Sequence, residues 1–288
     1  MLSDSVFVVT GAGRGIGRAV AFELADNGAS VVVNDLGVDL DGTGADADPA
    51  ETVAREIREA GGDAMAHFGD VTDLEYVQTL LEDALSEYGR VDGVANFAGN
   101  LRSAPIHEMT GEMWDAVVHV HLRGHFALLR TFSEHWVERD GTGDRSFVAV
   151  SSPSALGHPT QSNYAASKAG ILGLVRSTRE ELAPYNVRVN ALVPKAYTRM
   201  TESVPDEPFG EDVSPDKVAP MVGYLFSEAA ADVTGCTVYA GDDEIGFVSE
   251  PQITRVGVKD DGWSIEDIAE RFSGNVTQGI DLNRESRP

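Results

Sequence analysis

Short β-branched runs alternate along this chain with longer stretches in which apolar residues recur every three or four positions. The first pattern marks strands and the second amphipathic helices. Val6 to Thr10 is the first strand, and Val20, Phe22 and Leu24 open the helix behind it. Val31 to Asp35 predicts a second strand, Ala50 to Ala60 a helix, Ala64 to Phe68 a third strand and Leu74 to Tyr88 another helix. Gly93 to Ala98 continues as a fourth strand, Glu112 to Val137 as a long helix and Ser146 to Ser151 as a fifth strand. A helix from Asn163 to about Ala183 ends at Pro184, which cannot continue it. Val187 to Val193 is the sixth strand, Lys217 to Ala229 a helix and Thr237 to Ala240 the seventh strand. This alternation predicts an α/β fold, a doubly wound parallel sheet of about seven strands with helices on both faces.

No internal repeat or linker interrupts residues 1–245, which read as one domain. Residues 246–288 follow as a C-terminal extension expected on or beside it, with a strand from Gln252 to Val258, a helix from Ser264 to Phe272 and a frayed end. Leu36 to Pro49 is an acidic, glycine-bearing connection. Its Asp39 to Gly44 begins like a calcium loop, but the twelfth position is Ala50 and lacks the bidentate glutamate, so a solvated insert is expected. Pro194 to Pro215 carries Pro205, Pro208 and Gly210, the composition of a mobile substrate lid and equally of a surface loop.

Composition narrows the classes of function. The 288 residues are 42% apolar, enough for a core. No apolar run is long enough to span a bilayer and no basic-then-apolar segment opens the chain, so a cytoplasmic location is expected. Cys236 is the single cysteine, which excludes an internal disulfide and a cysteine metal cluster. Acids outnumber bases 47 to 22, a formal charge of −25, and Lys168, Lys195, Lys217 and Lys259 are the only lysines. The acids are spread along the chain, which disfavours nucleic acid and anionic membrane as partners.

Candidate chemistry centres on Asn163 to Ile171, where Tyr164 and Lys168 stand four residues apart at the start of a helical pattern. Residues i and i+4 share a helix face, so a phenol and an ammonium point the same way. The positive charge favours phenolate, a usable base toward a hydroxyl proton. By itself the pair is equally the pattern of a wet helix face. Gly11 to Gly17 follows the first strand and opens a helix, the context in which a glycine turn and a helix N-terminus receive a pyrophosphate. Asp35 closes the second strand about 20 residues on, where a carboxylate meets a ribose 2′-hydroxyl and repels the 2′-phosphate of NADP; NAD is therefore the expected cofactor. Arg14 in the turn argues the other way, since an arginine there can meet that phosphate. Asn96 to Gly99 brings small residues to the end of the fourth strand, where open α/β sheets bind ligands. His119, His121, His125 and His135 fall in one helical pattern. His121 and His125 are four apart but lack a third ligand in sequence, so no metal is expected.

Taken together, Thr10-Gly-x3-Gly-x-Gly17, Asn96-x-Ala-Gly99, the serine pair before Tyr164-x3-Lys168, and Asn190-Ala-Leu-Val-Pro194 with Thr198 resemble the short-chain dehydrogenase/reductase family, in order and spacing, over residues 5 to about 241. Within that Rossmann-type family, Val33 to Gly37 with its acidic insert, His119 to Gly124, and Pro194 to Thr201 are similar to the (3R)-hydroxyacyl-CoA dehydrogenase unit of peroxisomal multifunctional β-oxidation enzymes. The resemblance implies an NAD-dependent oxidoreductase acting on a secondary alcohol or ketone, here a 3-hydroxyacyl thioester, and a homodimer or homotetramer built on the Glu112 to Val137 and Asn163 to Ala183 helices. It implies Tyr164 as general base, Lys168 as ligand of the nicotinamide ribose, and Ser152 as hydrogen-bond donor to the reacting oxygen. Gly11, Arg14, Gly15, Ile16 and Gly17 would line the pyrophosphate and Asp35 the adenosine ribose. Asp70 and Val71 would hold the adenine, Asn96, Ala98 and Gly99 would flank the cofactor, and Thr198 would touch the carboxamide. Tyr164 and Lys168 would also contact the nicotinamide end.

Three positions depart from the family pattern. His121 stands where a catalytic asparagine is usual, as a changed proton relay or as a buried structural residue. Ser152 lies twelve residues before Tyr164 and Ser151 thirteen, the commoner spacing; Ser152 is preferred because it lies just past the strand. Phe97 and Lys195 replace an asparagine and a glycine. A CoA site would also need a basic patch, for which Arg102, Arg123 and Lys195 are the candidates. A 3-ketoacyl reductase of fatty-acid or polyester synthesis, or a non-catalytic NAD-binding protein, are the other readings.

The acidic surface repels itself in dilute buffer, and salt screens that repulsion. The chain is therefore expected to be salt-adapted, the alternative being an ordinary acidic protein. Melting temperature should rise with potassium chloride up to about 1 M, where the Debye length falls to about 3 Å. A flat or falling melting curve across that range would remove the salt-adapted reading.

Overall fold

Val6–Thr10 is buried along its whole length, as a strand covered by helices on both faces must be, and its β-branched residues suit that pleated, dry setting. It is an interior strand of a computed structural model that describes residues 2–139, 143–199, 213–249, 251–260, 262–272 and 276–277. The strands are β1 Val6–Thr10, β2 Ser30–Asp35, β3 Asp63–Phe68, β4 Gly93–Asn96, β5 Arg145–Val150, β6 Val187–Lys195, β7 Thr237–Gly241 and β8 Glu244–Phe247. The helices are α1 Gly15–Asp26, α2 Asp48–Glu59, α3 Leu74–Tyr88, α4 Gly111–Val118, α5 Gly124–Glu138, α6 Ser162–Leu182, α7 Ala219–Phe226 and α8 Ile265–Arg271. All eight strands form one sheet in the order β3-β2-β1-β4-β5-β6-β7-β8, parallel except for β8. This is the Rossmann-type doubly wound sheet.

Two apolar layers sandwich the sheet. One joins Leu24 of α1, Val53 and Ile57 of α2, and Val222 and Leu225 of α7. There the Phe7 and Phe226 rings stack with centroids 4.4 Å apart. The other joins Leu80 of α3, Phe132 and Trp136 of α5, and Ile171 and Val175 of α6. Strand order reverses between β1 and β4, so the connections leaving their carboxyl ends part and open a crevice.

Several expectations are corrected. An eighth strand, β8, pairs antiparallel with β7 through the two-residue turn Asp242–Asp243. All four of its residues are exposed, so it lacks the alternation that would announce a strand. Gln252 to Val258 is not a strand, and its apolar Ile253, Val256 and Val258 are exposed. The long helix over Glu112 to Val137 is two helices, α4 and α5, joined by a π turn at His119–Arg123. The helix expected over Lys217 to Ala229 is α7 between two 3₁₀ turns. Most of the Pro194 to Pro215 connection, residues 200–212, lies outside the described residues, as does the end of the chain. The chain divides into two compact units at Val248/Ser249. In the second, α8 begins with a reciprocal capping box between Ser264 and Asp267. No helix among the described residues is long and apolar enough to cross a membrane.

At the amino ends of the strands, Asp92 ties β1, β4 and β5 together. Its carboxylate accepts from the Val6 N–H at 2.9 Å and pairs with Arg145 at 2.8 Å and with Arg90 at 2.7 Å. Removing Asp92 leaves the Arg145 cation buried and unpaired. Asp92→Ala should cost about 3–5 kcal/mol in denaturant unfolding, whereas Arg90→Ala, whose side chain is half exposed, should cost about 1 kcal/mol or less.

Candidate active site

β1 ends at Thr10, and the chain must turn at once into α1. Gly11 makes the turn with φ +63°, and a Cβ there would lie 2.5 Å from the Ala98 nitrogen. At Gly17 a Cβ would lie 2.3 Å from the Gly11 carbonyl oxygen, so α1 can pack against the turn only as glycine. The result is a backbone cradle at the mouth of the crevice. Arg14, the residue before α1, offers no side-chain cap, so no side chain there satisfies the helix's first amides. Bare backbone, small residues and an uncapped helix N-terminus fit a pyrophosphate. Arg14 and Gly15 are exposed and Ile16 half-buried. Thr198, after β6, reaches the same turn: its methyl is 3.6 Å from the position of a Cβ on Gly15.

Asp35, at the end of β2, is held by two backbone amides. Its Oδ2 accepts from Gly13 N at 2.8 Å and its Oδ1 from Gly37 N at 2.7 Å. A carboxylate has about four lone-pair sites, so two remain for ribose hydroxyls. Asp70 Oδ1 accepts from Thr72 N at 2.9 Å, while the cap of α3 is Asp73. Asp70 is thus not consumed as the helix cap. Val71 is buried and touches the Gly124 position. Asn96 Oδ1 accepts from Thr10 Oγ1 at 2.6 Å and from Ala98 N at 3.1 Å, which locks the ends of β1 and β4 together.

α6 presents Tyr164 and Lys168 one turn apart. Lys168 Nζ lies 5.3 Å from the Tyr164 ring centre and donates to the Val150 carbonyl at 2.7 Å. Lys168 is buried, and burial lowers its pKa from 10.5 to about 7. The spacing alone implied a plain ammonium; the structure makes its charge conditional. The His121 ring stands edge-on to Tyr164, centroids 5.0 Å apart. His121 Nε2 lies 2.8 Å from the Asn100 carbonyl oxygen and 3.3 Å from the Asn100 nitrogen, and the shorter contact puts the proton on Nε2. Nδ1 is then a lone pair, buried and without a hydrogen-bond partner among the described residues, as is Asn100 Oδ1. Burial, with the nearby Lys168, holds His121 well below the ordinary histidine pKa. Gly99 faces this ring: a Cβ there would lie 2.4 Å from His121 Cε1.

The two serines do different work. Ser151 is buried and its Oγ donates to the Lys168 carbonyl at 2.9 Å. Ser152 is half-buried and its Oγ accepts from Ser154 N at 3.1 Å, a contact that leaves the hydroxyl proton for another acceptor. The three basic residues considered for a CoA site sit on different segments. Arg102 donates to the Asp41 carbonyl and Glu112, Arg123 to the Thr72 carbonyl, and Lys195 pairs with Gly241 at the end of β6. Among the described residues no three His, Cys, Asp or Glu side chains gather to hold a metal.

Some contributors carry no signal in the sequence. The acidic insert folds back on the loop after β4: Leu101 N donates to Leu40 O at 3.0 Å. Asn163, wholly buried, donates to the Arg102 and Met113 carbonyls. It anchors the start of the Tyr164 helix to that loop. Its place beside the tyrosine was the only hint.

The family model for short chain dehydrogenases matches residues 5–208. A crystal structure of a short chain dehydrogenase from Mycobacterium avium matches with a TM-score of 0.82 and 37% identity, covering 93% of each chain. A hydroxyacyl-CoA dehydrogenase of Mycobacterium tuberculosis is 39% identical over 266 residues, 88% of this chain and 82% of that one. Peroxisomal multifunctional enzyme type 2 of Mus musculus is 40% identical over 230 residues, 80% of this chain but only 31% of that enzyme's length.

Lys168 gives the site a pH signature. Its folded pKa, about 7, is below its unfolded value of 10.5, so the unfolded chain binds more protons between the two. Stability from this group is present above pH 10.5 and is lost as pH falls to about 7. In the cofactor-free protein that rise should be on the order of 5 kcal/mol. Denaturant unfolding from pH 6.5 upward, compared with Lys168→Met, should show a rise that the variant lacks; parallel curves would mean that the lysine is not depressed.

Proposed function

The chain belongs to the short-chain dehydrogenase/reductase family, and on that premise we propose that it is an NAD-dependent (3R)-3-hydroxyacyl-CoA dehydrogenase. The observation that carries the reading is the grouping of Tyr164, Lys168 and His121 at the carboxyl-end crevice that also holds the glycine cradle. When bound, NAD supplies the hydride acceptor. Tyr164 takes the proton of the substrate hydroxyl, and in the reverse direction returns it to the ketone oxygen. Lys168, when charged, favours the phenolate. It would also hold the nicotinamide ribose. Ser152 donates a hydrogen bond to the reacting oxygen, and its half-exposed position supports it over Ser151, whose proton is engaged by the Lys168 carbonyl. The bare Nδ1 of His121 supports a relay role, accepting a hydrogen bond from a water or hydroxyl beside Tyr164.

Asp35 supports NAD over NADP. Its carboxylate is fixed by two amides and stands where a 2′-phosphate would be repelled. Gly11, Gly15 and Gly17 would hold the pyrophosphate, with Arg14 and Ile16 at the rim. Asp70 and Val71 would hold the adenine, and Asn96, Ala98, Gly99 and Thr198 would line the nicotinamide side. The thioester reading is supported by the named hydroxyacyl-CoA relative and by the multifunctional enzyme, of which this chain spans a part. Exposed Trp114 on α4 and Phe126 on α5 support a homodimer or homotetramer through these helices and α6.

Initial rates with a (3R)-hydroxyacyl-CoA in concentrated potassium chloride test the reading. Turnover with NAD and not with NADP is expected. Turnover with NADP would favour the ketoacyl reductase instead. Tyr164→Phe should lose at least about 100-fold in kcat, the low end of general acid–base contributions, with NAD binding kept; a variant as active as the parent would remove Tyr164 as the base.

A further inference from the structure

Val150 is the last residue of β5, and β4 stops short of it: their register ends at Asn96 opposite Ala149. On the other side, β6 is engaged by the next residue, whose Ser151 N–H donates to Leu192 O at 2.7 Å. Both polar backbone groups of Val150 therefore point to the β4 side at the last rung of that ladder, and its carbonyl looks past the end of β4. Side chains from two helices reach them there. The Val150 N–H donates to His125 Nε2 at 3.0 Å, and the Val150 carbonyl accepts from Lys168 Nζ at 2.7 Å. The two peptide planes hinge on one Cα, so holding the first restricts the second.

This pattern also fixes the state of the imidazole. Nε2 must keep its lone pair to accept from Val150, so the ring proton sits on Nδ1. That nitrogen is 2.6 Å from the His121 carbonyl oxygen, one turn back on the same helix and within the π turn. The Asn96 amide nitrogen lies 2.9 Å from the same nitrogen, the one contact that this tautomer leaves unmade against the two that it makes. His125 is completely buried. It thereby joins the end of β4, the end of β5 and the turn that carries His121.

We propose that His125, neutral and protonated on Nδ1, is a positioning residue for the reaction: it holds the Val150 peptide so that the adjoining carbonyl receives Lys168, and it holds the turn that presents His121. The inference rests on the role given to Lys168 above. Burial, and then the charge of Lys168, bring the His125 pKa down to about 3, so the ring stays neutral wherever the enzyme is assayed. Ser151 follows directly on Val150 and clasps the Lys168 carbonyl, so the same contact steadies the strand exit that leads to Ser152.

The test is a double-mutant cycle on the dissociation constant of whichever nicotinamide dinucleotide the parent binds, with His125→Phe, Lys168→Met and both together. His125→Phe is expected to stay folded by circular dichroism and to weaken binding. It should lower kcat about 10- to 100-fold, the loss that a misplaced group brings, with KM changed less. On the Lys168→Met background the same change should add nothing further. His125→Gln, which keeps one acceptor and one donor, should recover most of the loss. Additive losses, or a Phe variant with parental kcat and binding and only a lower melting temperature, would overturn the proposal. Nitrogen NMR of the parent's imidazole decides even where the Phe variant fails to fold: a ring protonated on Nε2 overturns it, and the Nδ1 tautomer supports it. A parent that binds cofactor but does not turn over the thioester would refute the proposed substrate alone, because the binding cycle uses none.

Discussion

A parallel sheet leaves unpaired backbone N–H and C=O groups at the carboxyl ends of its strands, and water cannot reach those of the central ones. Each such group needs a partner or costs free energy comparable to a lost hydrogen bond. In this molecule the partners are side chains sent in from the helices and from neighbouring strand ends. Asn96 receives the Ala98 amide, Asp35 receives those of Gly13 and Gly37, and Val150 is shared between His125 and Lys168. The groups that complete the sheet are thus the groups that build the crevice. Stability and chemistry rest here on the same atoms.

Charge is distributed with the same economy. The chain has 47 acids to 22 bases, yet its buried cations near the amino ends of the strands each have a carboxylate: Arg145 has Asp92 and Arg188 has Asp144. Lys217 holds the tight turn between β7 and β8 through Asp242 and Asp243. Lys168 receives a carbonyl, and desolvation alone accounts for its lowered pKa. A buried amine near neutrality is costly as a structural element, and in the proposed reaction it would stand beside a phenol that gains and loses a proton. His121 adds a second group that burial keeps neutral. The pair surrounds Tyr164 with groups whose charge burial has made conditional.

The element order, the class of sheet and the places of the glycine turn, Asp35, Tyr164 and Lys168 were legible in the sequence. They rest on local rules: the period of apolar residues, the conformations open to glycine, and the one-turn spacing of a helix. A strand buried on both faces, such as β1, announces itself through its β-branched run. β8 did not, because a four-residue edge strand exposed along its whole length has no burial pattern to display. The exposed apolar residues between Gln252 and Val258 gave the opposite error. They carry strand-like composition, but a strand exists only if another strand pairs with it.

The sequence by itself determined that a glycine cradle and a Tyr–Lys pair would lie at the same end of one sheet, because motif order and strand order settle that together. Tertiary structure alone decided which serine is buried, that the helix around His121 opens into a π turn, that the lysine loses its guaranteed charge, and that His125 reaches the end of β5. Each of these depends on groups distant in sequence: Ser151 and Lys168, His125 and Val150, His121 and Asn100. Burial and donor–acceptor matching are properties of such pairs, and a periodicity read along one strand or helix does not contain them.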